Sequence, residues 1–278
     1  MKLYMDVGGT TIRCEFHTYD TIVHESYSSR DHELYDLIRS LVKSYPNIVF
    51  IGIAYAGMVD HGRIISAPNI EVKIHDIQQK IEQLFGIRVE IENDVNCAVL
   101  AEAHDRTSHD LVALYVGTGL GCGVVSNGRL LHGHDSLAAE IGHIPYRSTP
   151  FNCGCGKDNC IELYASGSGM LKWKQYHNLK GQPDLSQLRH SDEQIERDIA
   201  KWFEEALLAA AGTLVTLFNP EKLVLGGGII SANPYLIEML TEQIEIYALP
   251  EAAKRVTIVQ THLKDAPLEG AKYLEEPL

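Results

Sequence analysis

Apolar and polar positions organise the chain from its first residues. Leu3–Val7, Ile12–His17 and Ile22–Tyr27 read as three short strands separated by turn-rich segments, a meander. A helix follows, with Leu34, Leu37, Ile38 and Leu41 at helical spacing until Pro46 and Asp31 as the expected cap. The run Ile48–Ala54 is almost wholly apolar, the pattern of a strand covered on both faces. Helix and strand then alternate: Ile74–Phe85 ends at Gly86, Ile87–Glu92 is a strand, and Val95–His104 is a helix.

Beyond the polar stretch Asp105–Asp110 the pattern restarts with Leu111–Val116, a Gly-rich turn, Cys122–Ser126, the turn Asn127-Gly128 and Arg129–Leu131. A long helix from about Glu193 to Phe218 stops at Asn219-Pro220 and leads into the strand Lys222–Leu225 and Gly226-Gly227-Gly228. Tyr235–Tyr247 and Pro267–Leu274 read as further helices around the strand Val256–Gln260. Two α/β halves, each opened by a meander with a Gly turn, suggest duplicated lobes with a cleft between them. The division falls as residues 1–107, completed by a C-terminal helix at about 266–278, and residues 108–265.

Composition narrows the class. With 278 residues, 45% hydrophobic and 22% charged, the chain buries a sizeable core. Its 24 Lys and Arg against 37 Asp and Glu give a net charge of −13, and no basic run is present, so nucleic acid and anionic membranes are not expected partners. The longest apolar stretch, Ala206–Phe218, is too short to span a bilayer and reads as a buried helix. Met1 leads directly into the strand Leu3–Val7 with no leader pattern, so a cytoplasmic protein is expected. In a reducing compartment, the crowded Cys153, Cys155 and Cys160 point to metal ligation rather than disulfides.

Candidate chemistry lies at strand ends. Asp6-Val7-Gly8-Gly9-Thr10-Thr11, Gly117-Thr118-Gly119-Leu120-Gly121 and Gly226-Gly227-Gly228 each follow an apolar strand, where glycine lets backbone N–H groups approach a phosphate. None is a Walker loop or a dinucleotide fingerprint, and each taken alone reads equally as a tight turn. Asn93-Asp94 ends a buried strand and opens a helix. Asp94 is either an ordinary N-cap or a carboxylate placed to accept a proton from a substrate hydroxyl. His143, Cys153, Cys155 and Cys160 fall within 18 residues and match a Cys₃His structural zinc site. A redox cluster and buried free thiols are the other arrangements, and the glycines at 154 and 156 favour zinc. Such a clip fixes the loop bearing Glu140 and Glu162, two carboxylates suited to sugar hydroxyls or else solvated surface groups.

Together, Asp6-Val7-Gly8-Gly9-Thr10, Asn93-Asp94, Gly117-Thr118-Gly119, Glu140-Ile141-Gly142-His143, the three cysteines with Glu162, and Leu225-Gly226-Gly227-Gly228 resemble the ROK family (repressors, open reading frames and sugar kinases) of the actin-like ATPase superfamily. The resemblance implies two ribonuclease-H-like lobes closing on ATP and a hexose, a structural Zn²⁺, Mg²⁺ with the nucleotide, and a homodimer. It casts Asp94 as the base on the sugar hydroxyl, with Gly57, Asn69, Asn93, Glu140, His143 and Glu162 along the sugar. His143, Cys153, Cys155 and Cys160 would hold the zinc. Asp6, Gly8, Gly9, Thr10, Thr11, Gly117, Thr118, Gly119 and Gly121 would serve the phosphates, and Gly227 and Gly228 the adenosine.

Two departures shape the functional expectation. After Ala67-Pro68-Asn69, many glucose-type members continue into Gly-Trp, whereas this chain reads Ile70-Glu71-Val72-Lys73, altering the wall beside the sugar. Repressor members carry an N-terminal helix-turn-helix, absent ahead of the first strand here, so direct DNA regulation is not expected. The implied activity is ATP-dependent phosphorylation of a hexose at the 6-hydroxyl of glucose or a close relative. The alternatives are a kinase for N-acetylmannosamine, N-acetylglucosamine, allose or fructose, and a non-catalytic sugar sensor.

Overall fold

The opening meander forms where the alternation places it, as β1 (Lys2–Val7), β2 (Thr11–His17) and β3 (Ile22–Ser28). In this computed structural model, which describes residues 1–67 and 70–275, α1 (Leu34–Ser44), β4 (Phe50–Tyr55), the hairpin β5 (Met58–Asp60) and β6 (Arg63–Ser66), α2 (Ile77–Phe85), β7 (Arg88–Asn93) and α3 (Asp94–Asp105) follow. Glu33 rather than Asp31 caps α1, its carboxylate accepting from the Asp36 N–H at 3.1 Å, because it sits three residues before that donor. The β5–β6 hairpin, for which the apolar pattern gives no signal, turns at His61 and Gly62, both at positive φ.

These elements build one sheet in the order β3-β2-β1-β4-β7, antiparallel across the meander and parallel from β1 through β4 to β7. Leu37, Ile38, Leu41 and Val42 of α1 and Ile77 and Ile81 of α2 pack on the face bearing Leu3, Met5, Ile51 and Ile53. On the other face Tyr4, Phe50 and Ala54 meet Cys97 of α3 and Leu268 and Ala271 of the C-terminal helix. Every residue of β4 is therefore buried, as its unbroken apolar run requires. Each such aliphatic side chain contributes about 1.5–3 kcal/mol on burial, so Ile53→Ala would cost about 2–5 kcal/mol.

The second sheet repeats the scheme with β8 (Leu111–Val116), β9 (Leu120–Ser126), β11 (Lys222–Gly226) and β12 (Thr257–Gln260) in the order β9-β8-β11-β12. The first pair is antiparallel and the rest parallel. The turn Asn127-Gly128, both at positive φ, leads from β9 into the short β10 (Arg129–Leu130). The remaining helices are α4 (Gly167–Tyr176), α5 (Leu185–Arg189), α6 (Gln194–Phe218), α7 (Gly228–Ala232), α8 (Tyr235–Tyr247), α9 (Pro250–Ala253) and α10 (Ala266–Ala271). Helix α6 buries Phe203, Leu207, Ala210, Ala211 and Leu214, and Asn219 in the left-handed region ends it before Pro220. Among the described residues no helix is long and apolar enough to cross a membrane.

Two compact units result. One comprises Met1–Thr107, Arg129–Ala138 and the described residues from Leu263 on; the other comprises Ser108–Gly128 and Ala139–His262. The segment Arg129–Ala138, which the strand pattern assigns to the second half, thus groups with the first. Between Ala139 and Ser166 of the second unit the backbone has only two short 3₁₀ turns, Ile141–His143 and Ile161–Leu163, and a bridge between Pro145 and Cys160.

Candidate active site

In the first unit the carboxyl ends of the parallel strands gather the chemistry. Asn93 ends β7 and caps α3: its side-chain oxygen accepts from the N–H groups of Val95 at 2.9 Å and Asn96 at 3.0 Å. Its amide nitrogen donates to the Gly57 carbonyl and to Asp94 Oδ1, both at 3.0 Å. Asn93 therefore takes the capping role and ties Gly57 to Asp94. A side chain at Gly57 would put a Cβ 2.4 Å from the Ser66 carbonyl, so only glycine fits there. Asn69 lies outside the described residues.

Asp94, at the first position of α3, is partly buried. Desolvation pushes its carboxyl up to about 7, and the Asp6 carboxylate adds to the rise. Hydrogen bonds from the Val95 N–H, its own N–H and the Asn93 amide oppose it. Asp6, buried in β1, is held by the Arg13 guanidinium, which also reaches Asp265 at 2.8 Å. Burial still holds the Asp6 carboxyl above its ordinary value against the pull of Arg13. Among the described residues no Lys, Arg or His pairs with Asp94, which leaves a carboxylate near neutrality without a counter-ion.

The β1–β2 turn is tight: the Gly8 N–H donates to the Thr11 carbonyl at 3.0 Å. Ser29, just past the end of β3, closes it, its hydroxyl donating to the Gly8 carbonyl at 2.6 Å and its N–H to the Thr10 carbonyl at 3.1 Å. Thr10 and Thr11 are exposed, Thr11 as the first residue of β2. Such a turn can present N–H groups and hydroxyls to an anion.

In the second unit, Gly117, Thr118 and Gly119 form the β8–β9 turn, and Gly121 lies in β9 opposite Tyr115. The carbonyls of Gly117 and Thr118 accept from the first N–H groups of α4, those of Gly167 and Ser168, at 2.9 Å each. Glu162 Oε2 accepts from the Leu120 N–H at 3.1 Å, and Cys153 Sγ donates to its Oε1 at 3.5 Å. Glu162 thereby joins the turn to the cysteine cluster. Gly226-Gly227-Gly228 ends β11 and opens α7. At Gly227 φ is +91°, and a Cβ would lie 2.4 Å from the Val116 carbonyl, so the position demands glycine twice over.

Ligand atoms of His143, Cys153, Cys155 and Cys160 all lie within 4.8 Å of one another. Cys153 Sγ is 3.6 Å from His143 Nδ1, and the Sγ atoms of Cys155 and Cys160 are 3.3 Å apart. Tetrahedral zinc with bonds of ~2.0–2.3 Å separates its ligands by roughly 3.5–3.8 Å, so the donor set fits that ion. With Nδ1 turned to the cluster, His143 Nε2 lies 4.0 Å from Glu140 Oε2, the side on which metal-bound imidazoles meet a carboxylate. Burial raises the Glu140 carboxyl, His143 opposes this and Glu162 adds to it.

Sequence reasoning misses Arg13, Ser29 and the pair Glu92–His132. Arg13 and Ser29 carry no motif of their own. The second pair is separated by forty positions, and only folding shows that they touch.

Two α/β units of one strand order, each with a Gly turn joining its first two strands, have the architecture of the actin-like ATPases. The chain belongs to the ROK family, whose model matches residues 3–276. It is 28% identical to a glucokinase of Halalkalibacterium halodurans, with 97% of this chain and 93% of that protein covered. With an N-acetyl-D-glucosamine kinase of Pectobacterium atrosepticum it shares 32% identity, over 89% of this chain and 90% of that protein. Among solved structures it is similar to a ROK family glucokinase from Streptomyces griseus in complex with glucose and AMPPNP. That match has 25% identity, a TM-score of 0.76 and 97% of each chain covered.

Proposed function

We propose that the chain is an ATP-dependent hexose kinase that transfers the γ-phosphoryl group to the 6-hydroxyl of glucose or a close relative. The observation that carries this reading is the division of labour at the start of α3. Asn93 caps the helix, and Asp94 is left as a carboxyl pushed up to about 7 with no cation on it among the described residues, the condition a general base needs. Asp94 accepts the proton of the sugar hydroxyl as its oxygen bonds to the γ-phosphorus. The bond to the bridging oxygen breaks, and ADP leaves. Positioning and electrostatics supply most of the acceleration in phosphoryl transfer.

In this reading Gly57, Asn69, Asn93, Glu140, His143 and Glu162 contact the sugar. Asp6, Gly8, Gly9, Thr10, Thr11, Gly117, Thr118, Gly119 and Gly121 serve the triphosphate, and Gly227 and Gly228 admit the adenosine by lacking side chains. Asp6 would be the carboxylate available to the Mg²⁺ that accompanies ATP, and that ion would neutralise phosphate charge. His143, Cys153, Cys155 and Cys160 would hold a Zn²⁺ that orders the loop; with four protein ligands it would have no open position and no direct chemical part. Zinc thiolates are consistent with a reducing, cytoplasmic setting.

N-acetylglucosamine is the second substrate reading, supported by the 32% identity to a kinase named for that sugar. The segment after Asn69 bears on the choice. Ile70 and Val72 pack on the core of the first unit while Glu71 and Lys73 face solvent, so substituents there meet a wall set by two aliphatic side chains. Coupled ADP release across glucose, mannose, allose, fructose and the N-acetylated amino sugars tests both. Turnover with one hexose at O6, located by NMR, is expected. Sugar binding without ADP release on any hexose would make the chain a sugar sensor instead.

A further inference from the structure

Behind Asn93 and Asp94 lies a second layer of polar groups that the reaction does not touch. Glu92, the penultimate residue of β7, has a side chain 13% exposed with both oxygens engaged. Its Oε1 accepts from the Asn93 N–H at 2.8 Å and from the Asn96 amide nitrogen at 2.9 Å, and its Oε2 is 2.8 Å from His132 Nε2. His132 comes from the segment Arg129–Ala138 that groups with this unit, and the hydrogen bond to Glu92 raises its pKa. One carboxylate thus joins the last peptide of the strand, the first turn of the helix and a distant imidazole. Asp94 sits at the junction of strand and helix.

The charges point the same way. Burial pushes the Cys97 thiol well up, and the carboxylates of Glu92, Asp94 and Asp6 each add to the rise, so three acidic groups surround this buried site. Arg13 answers Asp6 and His132 answers Glu92. Asp94 is the member of the trio without a cation among the described residues.

We infer that His132 is a positioning residue: through its Nε2–H to Glu92 it fixes Asn93 and Asn96, and so the orientation of Asp94 toward the sugar hydroxyl. The titratable or charged groups facing His132 are Glu92, Arg129 and Tyr273, around a cavity of about 240 Å³, with His104 stacked behind Tyr273 at 4.0 Å. Arg129 is exposed at the rim, which leaves Glu92 as the direct partner.

The inference rests on Asp94 being the base, so Asp94→Asn is assayed beside His132→Ala and His132→Gln, with kcat and KM for sugar and ATP measured from pH 6 to 8.5. A base displaced by a fraction of an ångström loses roughly tenfold in rate. His132→Ala should therefore lower kcat about tenfold with both KM values within twofold of wild type. His132→Gln keeps an N–H donor for Glu92 and should restore most of kcat at pH 8.5. A helix merely loosened would raise the KM values along with the loss of kcat, and glutamine would not restore it. The inference is overturned if His132→Ala keeps kcat within twofold, if KM rises while kcat holds, or if His132→Gln recovers none of the lost kcat. If Asp94→Asn retains activity, the base assignment fails instead.

Discussion

Asp94 should limit the stability of the fold as well as drive its chemistry, and Asp94→Asn separates the two. Carrying a carboxyl from its ordinary value near 4 to about 7 corresponds to roughly 4 kcal/mol, at ~1.4 kcal/mol for each tenfold in proton affinity. Because Asp94 is only partly buried, solvent screening reduces this to ~1–2 kcal/mol. The sign follows from proton binding: between pH 4 and 7 the folded state holds the proton more tightly than the unfolded chain, so stability falls as pH rises. The penalty is absent below the unfolded value and complete above about 7. Asparagine does not titrate and keeps an oxygen for the Asn93 amide and the Val95 N–H. The variant should therefore melt ~2–6 °C above wild type at pH 8, with a clearly smaller gap at pH 5. Its turnover should fall by ~10²–10⁴. Thermal unfolding at the two pH values, with the coupled assay on the same preparations, checks both. A melting gap that stays flat with pH or reverses, or a variant with near-normal turnover, would refute the account of Asp94 as a desolvated base.

Other consequences can be read from single sites. Purified protein should carry about one zinc per chain, and Cys155→Ser should lose it. Trp173 and Trp202 are the two tryptophans of the chain, and Trp173 packs on Phe151 at 4.9 Å and Tyr164 at 5.5 Å, both from the zinc loop. Chelation should thus shift the intrinsic fluorescence and lower the melting temperature; unchanged emission in metal-free protein would refute the ordering role. Gly227→Ala should raise KM for ATP several-fold and destabilise by ~1–3 kcal/mol while sugar affinity holds, which titration calorimetry with each substrate decides. Glucose lacking its 6-hydroxyl should bind and inhibit without being phosphorylated. Glu140→Gln should lower kcat/KM at least tenfold on the best hexose, since a site built to bind hydroxyls with carboxylates discriminates by hydrogen bonds.

How far these features could be read without a structure depends on how local their causes are. The meander, the fully buried β4 and the long α6 are set by periodicities over a few residues, and they form where the pattern puts them. The cysteine cluster is equally local, since its ligands lie within 18 residues and the chain can close them on one ion. Asp94 was ambiguous in sequence because an aspartate opening a helix is ordinarily its cap. The structure answers the capping half of the question, since Asn93 accepts from both N–H groups a cap would hold. Glu92 and His132, or Ser29 and Gly8, meet through pairing between distant segments and carry no pattern along the chain. The β5–β6 hairpin escapes for another reason: its strands are three and four residues long, shorter than an alternation needs to show.

The two sheets show how one strand order can be given different chemical work. In each unit an antiparallel pair joined by a Gly turn precedes parallel strands whose carboxyl ends are open to a ligand. In the first unit the strand end carries Asn93 and Asp94, and the side chains matter: one fixes the helix, the other is left able to take a proton. In the second, β11 ends in three glycines, and at Gly227 the neighbouring Val116 carbonyl forbids even a methyl group. That strand end is shaped by close backbone packing of Gly227 on Val116. A carboxylate needs a defined environment to hold its proton affinity near neutrality, while under the proposed function a nucleotide at the glycine strand end needs room and N–H groups. The unit with the acidic trio is accordingly the one that supplies Arg13 and His132 as counter-ions, and the glycine-ended strand needs no such support.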